Sequence, residues 1–363
     1  MKILHIDSEK YWRGGQQQVF YLHEGLVKRG INSLLVCEKN SELKKRCMEK
    51  KLPYHEINIL GELDFLSAIK ISRICKSNNI DIIQAHSAHS QTIAIFVKFL
   101  VSKLKLIAVR RVDFHINKNM LSKLKYGTKK IDRIVCISEF IKKVLLEDGV
   151  NKNKLITIRS GTNVNKFDDV NVDKIFQNSF KQNPNTILIG TIAAFAGHKD
   201  FPNLLKAFKL IKEKMPNTKL CIVGDGPLKY NIENLAKELN IYNDIIFAGF
   251  QSEIGKYLKT FDIFVLASKK EGLGTSIIDA MSVGLPIVAT NTGGIPELIK
   301  SYHNGILVEP KDPDQLSSAV IEAISNNELR LKISENAKKD SANFSIEKNI
   351  DKYIELYNEL QMN

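Results

Sequence analysis

The chain is short of ordered cysteines. Its five, Cys37, Cys47, Cys75, Cys136 and Cys221, are odd in number and scattered, which argues against a disulfide framework or a metal cluster. Cys37, Cys136 and Cys221 lie in apolar strand-like runs, so buried reduced thiols of a cytosolic protein are the expectation. A long hydrophobic run is also missing. The most apolar stretch, residues 92–109, is broken by Lys98, Lys103 and Lys105, against the roughly 20 apolar residues a membrane span requires. No basic start precedes an apolar core and a cleavage site, because residues 3–7 run straight into polar ones; we expect no secretion and a cytoplasmic protein. No G-x-G-x-x-G turn with a following acid is present, which argues against a nicotinamide cofactor. The basic residues come without an aromatic stacking array or a reading motif, so nucleic acid is not an expected partner.

What the chain does have is asymmetry of charge. Residues 1–163 carry 30 Lys+Arg against 15 Asp+Glu, and residues 164–363 carry 23 against 25, so all of the net +13 sits in the first half. A basic half beside a neutral one suggests that the first half meets a polyanion, such as the inner face of an anionic membrane or an anionic glycolipid.

A length of 363 residues exceeds what one core usually fills, so two domains are expected. Apolar runs at residues 3–7, 33–37, 81–85, 106–109 and 133–137 alternate with amphipathic stretches, and the rhythm repeats at 187–192, 220–223, 245–248, 263–266 and 287–289. This predicts α/β architecture: two Rossmann-like, doubly wound parallel sheets. Asn- and Asp-rich residues 159–181 lose the periodicity and read as the linker. The expected division is 1–163 for the first domain and 164–340 for the second, with a helix at 341–363 packing back across the boundary. Ligands bind at the carboxyl ends of such strands, so a central cleft between two facing sets of strand ends is expected.

The candidate site residues follow those strands. Glu271 precedes Asp279 by eight positions, with Gly272-Leu273-Gly274-Thr275 leading into an apolar helix. A loop plus one helical turn aims two carboxylates at one ligand from two heights, and the helix start attracts a diphosphate; a plain acidic turn before a buried helix has the same spacing. Gly14 and Gly15 follow the first strand and permit a tight turn or a close backbone approach, or are a mere connection. His86 and His89, after the DIIQA strand, could donate to hydroxyls or phosphate; at i and i+3 they also suggest a metal, but no third ligand stands nearby. Arg110 and Arg111 end another strand as a phosphate clamp or a solvated charge run. Lys199 would add a cation at the start of the second domain's first helix, and Gly224-Asp225-Gly226-Pro227 makes a strand-to-helix joint. Asp312-Pro313-Asp314 looks like a metal-binding D-x-D but reads as a helix cap. Residues 118–133 mix Met120, Leu121, Leu124 and Tyr126 with lysines, which suits a lipid interface or a core-facing helix with a basic back.

The ordered strings GGQQQV, VGDGP, IFAGF, FDIFVLAS, EGLGTSIIDAMSVGLPIVAT, GGIPELI and NGILVEP give the chain a resemblance, along nearly its whole length, to the family 4 glycosyltransferases. These are retaining enzymes of the GT-B fold. The resemblance implies that Glu271 contacts the transferred sugar and Asp279 the ribose, that Lys199 binds diphosphate, and that Gly14 and Gly15 form the first-domain glycine loop. His86 and Arg111 are expected at the reacting groups, with Gly224, Phe250, Gly272, Leu273, Gly274 and Thr275 on the donor. It implies a metal-independent transferase with no cofactor, taking a nucleoside-diphosphate sugar, with UDP favoured, and a glycan or lipid-linked acceptor in bacterial polysaccharide or lipopolysaccharide synthesis. An epimerase of the same fold and a non-catalytic nucleotide-sugar binder are the competing classes. Three positions depart from the family pattern: Asp279 stands for Glu, Ala194 for a phosphate-binding Arg, and Arg111 for a His. Arg111, or Arg110 beside it, is therefore expected to supply the charge that Ala194 cannot.

Overall fold

The computed structural model describes residues 1–61, 63–116, 120–172, 174–181, 183 and 185–362, the side chains at 120, 121 and 124 excepted. The chain divides into two compact units, Met1–Gly161 with Ile346–Asn363, and Thr162–Ser345.

The first unit holds a seven-stranded parallel sheet of β1 (Lys2–Asp7), β2 (Asn32–Glu38), β3 (Tyr54–Ile57), β4 (Ile82–Ala85), β5 (Lys105–Arg110), β6 (Arg133–Cys136) and β7 (Leu155–Thr157), in the order β3-β2-β1-β4-β5-β6-β7. The five expected strands are there, each within two residues of its expected ends. The edge strands β3 and β7 carry no apolar run long enough to announce themselves: β3 has only Ile57 buried, and β7 is three residues long. The second unit has β8 (Ile187–Ile192), β9 (Thr218–Val223), β10 (Ile245–Gly249), β11 (Ile263–Leu266), β12 (Ile287–Thr290) and the unforeseen short β13 (Ile306–Val308), ordered β10-β9-β8-β11-β12-β13. Strand order reverses between β1 and β4 in one sheet and between β8 and β11 in the other, and crevices open outside the strand ends at such reversals.

Strand faces are apolar on both sides because helices cover both. In the second unit Phe195, Leu205, Phe208, Leu220, Ile222 and Ile263 pack into one core. All five cysteines are buried and free, and burial pushes each thiol up to about 12. The terminal helix Ile346–Met362 belongs to the first unit. It lies so close to helix Gly14–Lys28 that a Cβ on Gly25 would sit 2.1 Å from Ile350 Cδ1, and Tyr357, fully buried, donates its hydroxyl to Gln84 at 2.5 Å.

Among residues 118–133, Lys118 and the side chains of Met120, Leu121 and Leu124 lie outside the described residues. Tyr126 is buried and takes a hydrogen bond from Arg110, which is the core-facing arrangement. Asp312 caps its helix by accepting from Gln315 N at 2.9 Å, as the helix-cap reading required.

Candidate functional site

In the second unit Lys199 follows β8 and Glu271 to Asp279 follow β11, the two strands of the reversal. After β11, Ser268 to Thr275 loop over to the helix Thr275–Ser282. The loop is braced from β12: Thr290 Oγ1 donates to Ser268 O at 2.6 Å, and Gly294 N donates to Glu271 O at 3.0 Å. Gly293 has φ +58°, and a Cβ there would sit 1.9 Å from Glu271 O; one on Gly294 would sit 2.3 Å from Gly272 O. Only glycine permits this contact, so the turn at 291–294 sets the height of Glu271. Within the loop, Lys269 N donates to the carbonyl of His198, which follows β8, at 2.9 Å, and this ties the turn carrying Lys199 to the same loop.

Glu271 Oε2 then pairs with Lys199 Nζ and accepts from Ser268 Oγ at 3.3 Å. Gly274, the N-cap of the helix Thr275–Ser282, has φ +90° and offers no side chain to its first turn, so the helix start presents backbone N–H groups with partial positive charge. Asp279, on the same helix, is buried; its Oδ1 accepts from Lys166 Nζ at 2.7 Å and from Thr162 Oγ1 at 3.0 Å. Leu273 is buried and anchors the loop, whereas Phe250 is exposed just beyond β10. Gly224 has φ +151° and would meet Ala193 O at 2.0 Å with a Cβ; it joins the β9 loop to the β8 loop, as a structural joint does.

The first unit places its residues at the β1/β4 reversal. Arg111 Nη2 lies 3.4 Å from His86 Nδ1, and His86 Nε2 lies 3.0 Å from His5 Nδ1. Arginine only donates, so His86 accepts at Nδ1 and carries its proton on Nε2, which it gives to His5 Nδ1. His5 then bears its proton on Nε2, which is buried without a partner, as is Arg111 Nε. Burial lowers both imidazoles well below the usual histidine range. Burial also lowers His23, 5.9 Å from His5 between ring centroids, to about 4. Asp7, at the end of β1, is raised by burial to about 6, while Glu9 N and Gln16 Nε2 donate to it.

Three expectations change here. Gly14 and Gly15 open the helix Gly14–Lys28 and are absent from the positive-φ positions, so no tight turn demands them; a Cβ on Gly15 would meet Arg111 Cδ at 3.5 Å, an ordinary contact. Arg110 is committed internally. It is buried, donates to Phe114 O and Tyr126, and stacks 4.6 Å from the Phe114 ring, so it is a packing pillar and only Arg111 remains as the candidate cation. His86 is a buried acceptor for Arg111, while His89 is exposed on the following helix. Among the described residues no metal-holding group of His, Cys, Asp or Glu forms.

Sequence reasoning missed Lys166, Thr162, Ser268, Asp7, His5 and His23. Asp7 ends β1 and Ser268 follows β11 beside the reversals, which was a usable signal. Nothing local marks Lys166, 113 positions from Asp279.

The model for "Glycosyl transferases group 1" matches residues 172–340, and that for "Glycosyltransferase Family 4" matches residues 12–166. An uncharacterized glycosyltransferase of Methanocaldococcus jannaschii is 31% identical over 81% of this chain and 80% of its own length. The UDP-Gal:alpha-D-GlcNAc-diphosphoundecaprenol alpha-1,3-galactosyltransferase of Escherichia coli is 24% identical over 100% of this chain and 98% of its own. Anabaena Alr3699/HepE, solved in complex with UDP and glucose, superposes with TM-score 0.86 at 18% identity, over 99% of each chain.

Proposed function

The chain belongs to the family 4, group 1 glycosyltransferases and has their GT-B fold of two Rossmann-like units; from that premise we propose a retaining, metal-independent transfer of a sugar from a nucleoside diphosphate. UDP is the favoured carrier and a hydroxyl of a glycan or lipid-linked glycan the acceptor, in bacterial surface-polysaccharide or lipopolysaccharide synthesis. The Anabaena structure's UDP and glucose and the Escherichia coli relative's diphosphoundecaprenol acceptor support this choice.

The observation that carries the reading is the pairing of Lys199 with Glu271 beside a helix start whose cap is a left-handed glycine. Each group compensates the charge of the other. A donor would part them: its diphosphate takes Lys199 and the N–H groups of Gly274 and Thr275, and its sugar hydroxyls take Glu271. The leaving diphosphate gains charge as the glycosidic bond breaks, so those donors bind the transition state more tightly than the ground state. This supplies the positive charge that a metal supplies elsewhere. Asp279, held at Oδ1, turns its other oxygen to the ribose. Within the first unit, Arg111, seated beside Gly15 and His86, is the candidate phosphate-binding cation. A phosphate oxygen of the leaving group takes the acceptor's proton on the face it leaves, which gives retention.

Calorimetric titration with UDP-, GDP- and ADP-sugars tests the donor class, and one of them should bind. Glu271→Gln should cut turnover by about 10²-fold or more, the usual cost of a positioned polar group. Near wild-type rates in that variant would sink the assignment.

A further inference from the structure

Six large apolar side chains of the first unit, Leu60, Leu63, Phe65, Leu66, Phe99 and Leu100, stand open to solvent, between 38% and 78% exposed. They come from two places: the entry to helix Phe65–Ser77, and the end of helix Ala88–Leu100. The two helices pack together, and Phe65 meets Phe96 edge-on with ring centroids 5.8 Å apart, so both groups share one surface. Scattered exposed leucines need no explanation, but a contiguous apolar patch does.

Cations surround it. Leu66, Lys70 and Arg73 recur at i, i+4 and i+7 on the exposed face of helix Phe65–Ser77, and Lys130 Nζ lies 4.5 Å from the Phe99 ring centroid. Among the described residues of the patch the acid is Asp64, which is occupied locally, accepting from Leu60 N at 2.9 Å, Ser67 N at 2.9 Å and Ser67 Oγ at 2.6 Å; Glu62, between Leu60 and Leu63, lies outside the described residues. An apolar tip backed by lysine and arginine on long stems matches a bilayer boundary, where the tip enters the acyl layer and the cations stay at the phosphates.

We propose that this surface docks the first unit on an anionic lipid bilayer. The net charge of the first unit, +15 over residues 1–161 and −2 over residues 346–363, selects the occupant: it attracts anionic headgroups and repels a second copy of the same unit. The docking surface includes none of the donor residues named above, and it stands whether or not the sugar-transfer reading holds, because its readout is binding to vesicles.

The full chain is sedimented with vesicles of mixed phosphatidylglycerol and phosphatidylcholine, and with phosphatidylcholine alone. Wild-type protein should bind the mixed vesicles, weakening as salt rises from about 0.1 M to about 1 M. Leu63→Glu with Leu66→Glu and Phe99→Glu should lower the partition coefficient roughly tenfold or more while leaving the thermal melt and nucleotide-sugar binding unchanged. Should that variant fold poorly, Lys70→Glu with Arg73→Glu, which disturbs no apolar contact, should show the same loss and a weaker salt dependence. Three results overturn the proposal: wild-type protein that ignores anionic vesicles, loss of binding only in Lys123→Glu with Lys129→Glu, or a lipid-free dimer that the triple variant dissolves.

Discussion

The ends of the two sheets solve the same problem, polar groups gathered at a strand reversal, in opposite ways. In the first unit Asp7, His5, His23 and His86 are sealed from water and pushed toward their neutral forms. In the second, Glu271 and Asp279 stay beside the cations Lys199 and Lys166. Desolvation dominates one end and pairing the other. The first end should therefore answer to pH and the second to whatever competes for its cations, a diphosphate above all.

The largest expected effect is on acid stability. Folding holds His23 near 4 against an ordinary 6.5, so the unfolded chain binds the proton first, and stability falls as pH drops from 6.5 to 4. The loss from this group is about 3 kcal/mol at 1.36 kcal/mol per unit. His5 and His86 act in the same sense. Asp7, raised from 3.8 to about 6, acts oppositely, adding stability as pH falls through that window, so Asp7→Asn should steepen the acid loss. The second unit's only histidines, His198 and His303, are exposed. Amide exchange followed along β1 and β8 between pH 7 and 4.5 should show β1 opening first. Equal acid sensitivity of the two strands would break the comparison.

Glycines offer the next contrast. Gly293→Ala must place a side chain at φ +58° and against Glu271 O, and should cost at least about 2 kcal/mol of stability with a parallel loss of donor affinity. Gly15→Ala, at the start of a helix with only an ordinary contact, should keep or raise stability by up to about 1 kcal/mol. Thermal melts of both variants read this directly, and the reverse order would refute the account of the 291–294 turn.

Lys166→Met sharpens the second unit's side. Removing the cation at 2.7 Å from Asp279 leaves a mostly buried carboxylate held by Thr162 alone. We expect nucleoside-diphosphate affinity to drop several-fold and discrimination against the 2′-deoxynucleotide to shrink, by about 1 kcal/mol. Unchanged discrimination in a titration with both nucleotides would separate Lys166 from the ribose. The smallest effect is Asp312→Ala, which removes a helix cap and should cost about 1 kcal/mol with no change in transfer.

Much of this was readable in the residues themselves. The central strands, the glycine turns and the Glu271-to-Asp279 spacing are local patterns, and local patterns survive in one dimension because strand and helix periods act over a few residues. Edge strands such as β3 escape, since a half-exposed strand has no apolar run to show. Phosphate-clamp chemistry at Arg110 was legible as a possibility, but the partners its guanidinium keeps were not. Its neighbours Phe114 and Tyr126 lie on the chain after it, and only folding turned their rings onto its guanidinium.

By itself, then, the order of residues determined the family, the two wound sheets and the acid pair at the donor end. The tertiary structure alone decided which partners those groups keep: Lys199 on Glu271 across 72 positions, Lys166 on Asp279 across 113, and His5, His23 and His86 drawn into one sealed row. Protonation state and charge compensation depend on distance and burial in space, and neither quantity exists until the chain has closed on itself.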